Sequence, residues 1–183
     1  MCLKICKPER VKIKDGRTIL IRRPMISDAK SLRDYINSLV EEDAPILMNE
    51  KISLKQEKEW LKDLLKDIRK GTSHYLVAEL DGEIVGGIHM YRRRYRNSHC
   101  ADIGISLSKD YRRLGIATVL FEKMLAIGKK DKSIKIIYLS AYAYNKKALR
   151  LYRKMGFRVV ARLKKRVQYK GGLGDELVLD YKG

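Results

Sequence analysis

The chain has 183 residues and carries 41 Lys and Arg against 22 Asp and Glu, a formal charge of +19. That length is ample for a domain with its own hydrophobic core, so one domain over residues 1–183 is expected, with 1–16 as an N-terminal extension and first hairpin strand. No apolar run approaches the ~18 residues that cross a bilayer, and the opening MCLKICKPER lacks the apolar region of a signal peptide, so a soluble, cytoplasmic protein with no membrane association is expected.

Residues 11–14 and 18–22 alternate apolar with polar side chains around Asp15 and Gly16, a pair that supplies a tight turn, so the chain is expected to open with a hairpin. Ser27 and Asp28 then offer an N-cap to a first helix, with Leu32, Ile36, Leu39 and Val40 on one face and an end before Pro45. Ser53 and Gln56 form a capping box ahead of a second helix, whose apolar stripe is Trp60, Leu61, Leu64, Leu65 and Ile68 and whose end is Gly71.

Residues 75–80 and 83–91 read as two antiparallel strands about the Asp81-Gly82 turn. After the basic run 92–96, residues 101–107 read as a strand and 115–130 as a helix with Leu120, Met124 and Ile127 facing inward. The almost wholly apolar run 134–141 suits a strand covered on both faces, and 146–155 a helix stopped by Gly156. Strands at 159–163 and 176–180 close the chain. No repeat, low-complexity segment or linker divides it.

The cysteines, Cys2, Cys6 and Cys100, are odd in number, which argues against a disulfide framework. Cys2 and Cys6 are spaced to ligate a metal, but no second pair follows, so no metal is expected.

Between the strand ending at Leu107 and the next helix, small residues stand beside Arg112 and Arg113 at a helix start. Free backbone N–H groups of Leu114, Gly115, Ile116, Ala117 and Thr118 and the positive end of the helix dipole would converge there on a pyrophosphate, with Gly115 and Ala117 allowing close approach. The two arginines can add charge-assisted hydrogen bonds. By themselves, the same residues also suit an ordinary helix start with solvated arginines.

This segment resembles the acyl-CoA-binding signature of the GNAT acetyltransferases, Arg/Gln-x-x-Gly-x-Gly/Ala after a central strand, with Arg112, Gly115 and Ala117 in its three defining positions. Downstream, residues 145–157 resemble the family's other hallmark, Asn-x-x-Ala-x-x-Leu-Tyr-x-x-x-Gly-Phe. The resemblance implies an α/β (α+β) fold with a mixed, mostly antiparallel central sheet flanked by about four helices, and acetyl-CoA as co-substrate. It further implies that Ile105 and Leu107 offer main-chain groups to the pantetheine arm, that Asn145 binds that arm or its neighbouring backbone, and that Tyr152 is the general acid.

Amine attack on a thioester expels a thiolate, which a positioned phenol can protonate. Taken alone, Tyr152 equally suits a packed aromatic on an amphipathic helix, and Asn145 a helix N-cap, a role that leaves its amide donor free. The attacking amine must lose a proton, and Asp102, on the strand leading to the turn and on one face with Gly104 and Ser106, is the candidate base. A surface ion pair is the alternative for Asp102. His89 and His99 are read as hydrogen-bonded or solvated side chains.

The expected function is acetyl transfer from acetyl-CoA to a primary amine, first of all a protein lysine or N-terminal amine. A small amine or amino acid as acceptor, a non-catalytic acetyl-CoA sensor and a basic nucleic-acid-binding module are the rival readings. The charge of +19 draws polyanions of several kinds. The sequence leaves the acceptor, and oligomeric state including a homodimer, open.

Overall fold

The computed structural model of the protein describes residues 7–169 and 171–183, and Cys2 and Cys6 lie outside them. The strands are β1 (Glu9–Lys12), β2 (Thr18–Arg22), β3 (Ser73–Leu80), β4 (Glu83–Arg92), β5 (Cys100–Leu107), β6 (Ile136–Tyr142), β7 (Phe157–Tyr169) and β8 (Gly172–Tyr181). They form one sheet in the order β1-β2-β3-β4-β5-β6-β8-β7. Every neighbouring pair is antiparallel except β5 and β6.

Four helices flank the sheet: α1 (Ala29–Glu41), α2 (Leu54–Lys70), α3 (Ile116–Lys130) and α4 (Lys146–Lys154). Alternation along β3 assigns them to faces. Tyr75 and Val77 join the core under α1 and α2, whereas Leu76, Ala78 and Leu80 join the core of α3 and α4. The mixed, mostly antiparallel sheet with four helices is the architecture expected from the sequence. Among the described residues no helix is long and apolar enough to cross a membrane.

At the first hairpin Gly16 takes φ +91° and the Asp15 carboxylate accepts from the Arg17 backbone N–H, so the turn residues do the work assigned to them. The capping box of α2 is also present: Ser53 Oγ accepts from the Gln56 N–H and Gln56 Oε1 from the Ser53 N–H. Gly71 closes that helix in the left-handed region at φ +73°.

Four local expectations are corrected. Asp28 stands at the N-cap of α1 but does not cap it. Its carboxylate takes a bidentate pair from Arg22, at 2.7 and 2.9 Å, and accepts from the Met25 N–H, while Arg22 Nε also reaches Glu79. A charge-assisted fork outcompetes a neutral cap where the site is half-buried.

Trp60 does not complete the stripe of α2. It is 39 % exposed, and the buried positions of that face are Leu61, Leu64 and the carboxylic acid Glu57. Nor is β6 covered on both faces: Ile137, Leu139 and Ala141 are buried, whereas Ile136 and Ser140 are exposed. The closing strands run further than expected, because β7 and β8 pair out to Tyr169 and Gly172 through two irregularities in β7.

Candidate functional site

β5 and β6 pair at only three positions, the last being Asp102 with Tyr138. Beyond it β5 continues to Leu107 and β6 to Tyr142 without pairing to each other, so the sheet opens into a wedge. From Asp102 at its apex to Leu107 at its mouth is about 17 Å of extended strand.

The backbone edge inside that wedge is defined by the β4–β5 ladder. Ser108 N–H donates to Val85 O and Cys100 O accepts from Arg93 N–H, so the even-numbered residues of β5 direct their backbone groups to β4. In an antiparallel ladder the alternate residues point the other way, which turns the main-chain groups of Ile105 and Leu107 into the wedge. The sheet therefore presents a free edge of the kind an extended amide-containing chain can pair with.

At the mouth of the wedge lies the start of α3. Gly115 is its N-cap residue at φ +88°, and among the described residues no side chain caps the helix. Val119 makes the first bond of the helical pattern, to Gly115 O, so the N–H groups of Gly115, Ile116, Ala117 and Thr118 are the uncapped set. A Cβ at Gly115 would meet nothing closer than Lys14, at 3.8 Å, so glycine is required by the backbone angle and not by crowding within the chain. Arg113 precedes it at φ +68°, an unusual conformation for a side-chain-bearing residue.

The first hairpin supports this turn. Lys14 N–H donates to Leu114 O, and the Arg17 guanidinium lies over the Tyr111 ring, 5.2 Å from its centroid. Arg112 Nε donates to Leu107 O at 3.0 Å, and its other arm is ion-paired to Glu42, just past the end of α1. The structure thus brings Leu107, Arg112, Leu114, Gly115, Ile116, Ala117 and Thr118 together, with Arg112 already engaged by a carboxylate.

Asn145 caps α4, its Oδ1 accepting from the Ala148 N–H at 3.1 Å, which leaves its amide donor free. Tyr152, further along α4, is buried, with its ring edge-on to Phe121 and Phe157. Burial pushes the Tyr152 hydroxyl up to about 12, so it holds its proton throughout the neutral range.

Asp102 belongs to the opposite face. Alternation places it with Gly104 and Ser106, below α1 and α2, whereas Tyr152 belongs to the core of α3 and α4. The two residues flank the plane of the sheet from either side. Burial raises the Asp102 carboxyl above its ordinary value, with Glu176 adding to the effect and Arg93 opposing it. A carboxylate shifted toward neutrality is a stronger proton acceptor than a solvated one.

Around Asp102 the same face carries groups that sequence reasoning did not single out. Tyr35 Oη donates to Ser106 Oγ at 2.7 Å. Glycines make room for two more rings: a Cβ at Gly87 would lie 2.5 Å from the Tyr75 hydroxyl, and one at Gly104 would lie 2.5 Å from His89. His89 is itself pushed down to about 4 by burial, so it is neutral, and it packs between the Tyr75 and Tyr91 rings instead of being the hydrogen-bonded or solvated side chain expected.

A cleft of about 270 Å³ opens between the segment after α1 and the β7–β8 hairpin. Ala44, Ile46 and Met48 form one wall, Tyr142, Tyr144 and Tyr169 the other, with Glu176 and Arg166 as its charged members. Tyr144 and Tyr169 stack at 3.8 Å, and Tyr142 Oη donates to Ile46 O across the cleft. Among the described residues there is no cluster of His, Cys, Asp and Glu that would hold a metal ion.

The model of the acetyltransferase (GNAT) family matches residues 36–157. An L-amino acid N-acetyltransferase of Escherichia coli, AaaT, is 32 % identical over 85 residues, 46 % of this chain and 52 % of that protein. An N-alpha-acetyltransferase of Sulfurisphaera tokodaii is 30 % identical over 106 residues, 52 % of this chain and 63 % of that protein. The chain thus spans between half and two thirds of the length of these two relatives. Among solved structures, a ribosomal-protein-alanine N-acetyltransferase from Brucella melitensis superposes with a TM-score of 0.77 at 23 % identity, over 87 % of this chain and 97 % of that one. The yncA protein of Salmonella typhimurium, solved with acetyl-CoA, superposes with a TM-score of 0.78 at 15 % identity, over 90 % and 93 % of the two chains.

Proposed function

Because the chain belongs to the acetyltransferase (GNAT) family, we propose that it transfers the acetyl group of acetyl-CoA to a primary amine, and that the amine is the N-terminus or a lysine of a protein. The observation that carries the reading is the meeting of an uncapped helix start with a free strand edge. The N–H groups at Gly115–Thr118 suit a pyrophosphate, and the edge at Ile105 and Leu107 suits the amides of the pantetheine arm running into the wedge.

Asp102 would take the proton of the incoming ammonium, directly or through water, and the neutral amine then attacks the thioester carbonyl. Tyr152 would give its proton to the departing sulfur, a role that a phenol held protonated by burial can fill, and would be reprotonated, directly or through water, by the second proton that the nitrogen sheds as the amide forms. Attack from the face of Asp102 and release toward the face of Tyr152 keeps the two proton transfers on separate sides of the sheet. Tyr35 and Ser106, hydrogen-bonded beside the wedge, would order the amine's approach.

The cleft supports a protein acceptor. It is open along the surface, and Leu47 and Met48 on its rim are solvent-exposed, as suits a chain that is only partly enclosed. Glu176 within it can meet the positive charge of an N-terminus or lysine. An amino-acid acceptor is the second reading, favoured by the small volume of the cleft and by the likeness to the Escherichia coli enzyme.

The test is acetyl-CoA-dependent release of free thiol over peptides with lysine or α-amine acceptors, amino acids and polyamines. Turnover with peptides that is lost in Tyr152→Phe is the expected result. Turnover with free amino acids alone would replace the acceptor assignment. Acetyl-CoA binding without turnover on any acceptor would make the protein a sensor, and absence of binding would sink the whole reading.

A further inference from the structure

The positive charge of the protein is not evenly spread. Between Asp131 and Asp175 the sequence holds 13 Lys and Arg and no Asp or Glu. Most of these residues fall on two adjacent elements. Helix α4 buries Leu149 and Tyr152 and turns Lys146, Lys147, Arg150, Arg153 and Lys154 to solvent. Strand β7, against which α4 packs, is the edge of the sheet and adds Arg158, Arg162, Lys164, Lys165 and Arg166, all exposed.

Two ordinary explanations fall short. Basic side chains on an edge strand discourage pairing with other strands, which accounts for β7. It does not account for α4, which is no edge. Nor is α4 a typical solvated helix face, which mixes both signs. The contrast lies within the protein: α2 intersperses Glu59, Asp63 and Asp67 among its lysines, and Lys66 pairs with Asp63. Among the described residues Arg150, Arg153, Lys154 and Arg158 form no ion pair, and on β7 Arg162 is matched by Asp175. The like charges of α4, held this close without a carboxylate on their own helix, repel one another, a cost that a polyanion removes, whereas Arg158 stands opposite Asp180 in the β7–β8 register.

We propose that the α4–β7 surface binds the phosphate backbone of duplex nucleic acid. Its length suits a polymer more than a single anion: β7 from Arg158 to Arg166 lies along β8 from Asp180 to Gly174, about 20 Å of strand, against phosphates spaced at about 1.7 Å of duplex axis. The large hydrophobic side chains exposed along the basic track, Val159, Val160 and Leu173, are aliphatic, and the rings where it meets the cleft, Tyr144 and Tyr169, are stacked on each other, so the track itself offers no aromatic platform for unstacked bases. Charge without stacking favours the duplex over the single strand and predicts binding that ignores base sequence. The surface continues into the cleft wall at Arg166 and Tyr169, so a bound nucleic acid would lie beside the acceptor site.

The measurement is fluorescence anisotropy of labelled duplex DNA, duplex RNA and single strands against the full chain, with polyglutamate as competitor. Affinity for duplex is expected to fall about a thousandfold between about 50 and 200 mM salt, as five or six neutralised phosphates require. Replacing Lys147, Arg150, Arg153 and Lys154 together by Gln should lower the salt slope by about three to four. Replacing Lys55, Lys58, Lys62 and Arg69 on α2 by Gln removes the same charge and should leave the slope nearly unchanged. Unfolding curves of both variants establish that they are folded. Equal losses in the two variants would mean a diffuse field and overturn the site. Wild type that does not bind duplex at low salt, single strands bound more tightly than duplex, or displacement by polyglutamate at equal charge would overturn the partner. None of these outcomes depends on acetyl transfer, and the thiol-release assay judges that separately.

Discussion

Arg112 and Glu42 are ion-paired across the mouth of the wedge, so the helix start expected to receive a pyrophosphate is tied to the segment that walls the cleft. A phosphate arriving at Gly115 must share or displace Glu42. Glu42→Gln is therefore expected to tighten acetyl-CoA binding several-fold, and Arg112→Ala to weaken it by about tenfold to a hundredfold, the range of one or two charge-assisted hydrogen bonds. Isothermal titration of both variants checks this. A Glu42→Gln protein that binds more weakly than wild type would mean that the pair builds the site instead of competing for it.

Gly115→Ala separates the backbone's needs from the ligand's. At φ +88° a Cβ is disfavoured by about 1 kcal/mol, so stability should fall by that amount. Affinity for acetyl-CoA should fall by more than the fold loses, because the N–H groups are displaced. Gly82→Ala, at φ +85° in the β3–β4 turn, should show the stability loss alone. Equal affinity losses in the two variants would refute a role for Gly115 in binding.

Tyr152→Phe should reduce kcat by about a hundredfold or more with the KM for acetyl-CoA near wild type, since only the proton-donating hydroxyl is removed. Its hydroxyl stays protonated to about 12, so it contributes no limb to the rate profile at neutral pH. Asp102 does: activity should rise as pH climbs through its raised value, and in Asp102→Asn the acid limb should shift to that of the acceptor amine alone. A limb unmoved in Asp102→Asn would assign the proton transfer elsewhere.

Glu57 lies buried on α2 with Oε1 lacking a hydrogen-bond partner, and burial carries it from 4.5 to about 7. The folded state then holds this proton more tightly than the unfolded chain. Stability is lost as pH rises from about 4.5, and the loss is complete above about 7. Glu57→Gln should flatten that slope and stabilise the protein at pH above about 7 by roughly 1–3 kcal/mol in urea titrations. An unaltered slope would locate the titration in another group.

The sequence made the fold legible where local chemistry decides. The Asp15-Gly16 turn, the Ser53–Gln56 box and the glycine at 71 each answer to a backbone requirement that one or two residues express. It misled where a distant partner decides. Asp28 reads as a cap until Arg22 folds back on it, and residues 134–141 read as doubly covered because their own composition says nothing of a missing neighbour. In the site, Tyr35 and Glu42 were invisible for the same reason: what matters about them is Ser106 and Arg112, 71 and 70 residues away in the chain. The cleft gathers three separate segments, and no spacing encodes such a meeting.

The three rungs that join β5 to β6 also bear on how the molecule moves. Along this seam the sheet is two leaves, β1 to β5 on one side and β6, β8 and β7 on the other, stitched only near the apex. Amide protons of Ile105 and Leu107 meet no strand and should exchange quickly with solvent, and an extended ligand seated there would act as the missing stitch, slowing that exchange and stiffening one leaf against the other. The co-substrate would then be part of the sheet's own mechanics while it is bound, and each turnover would loosen the protein as the spent carrier leaves.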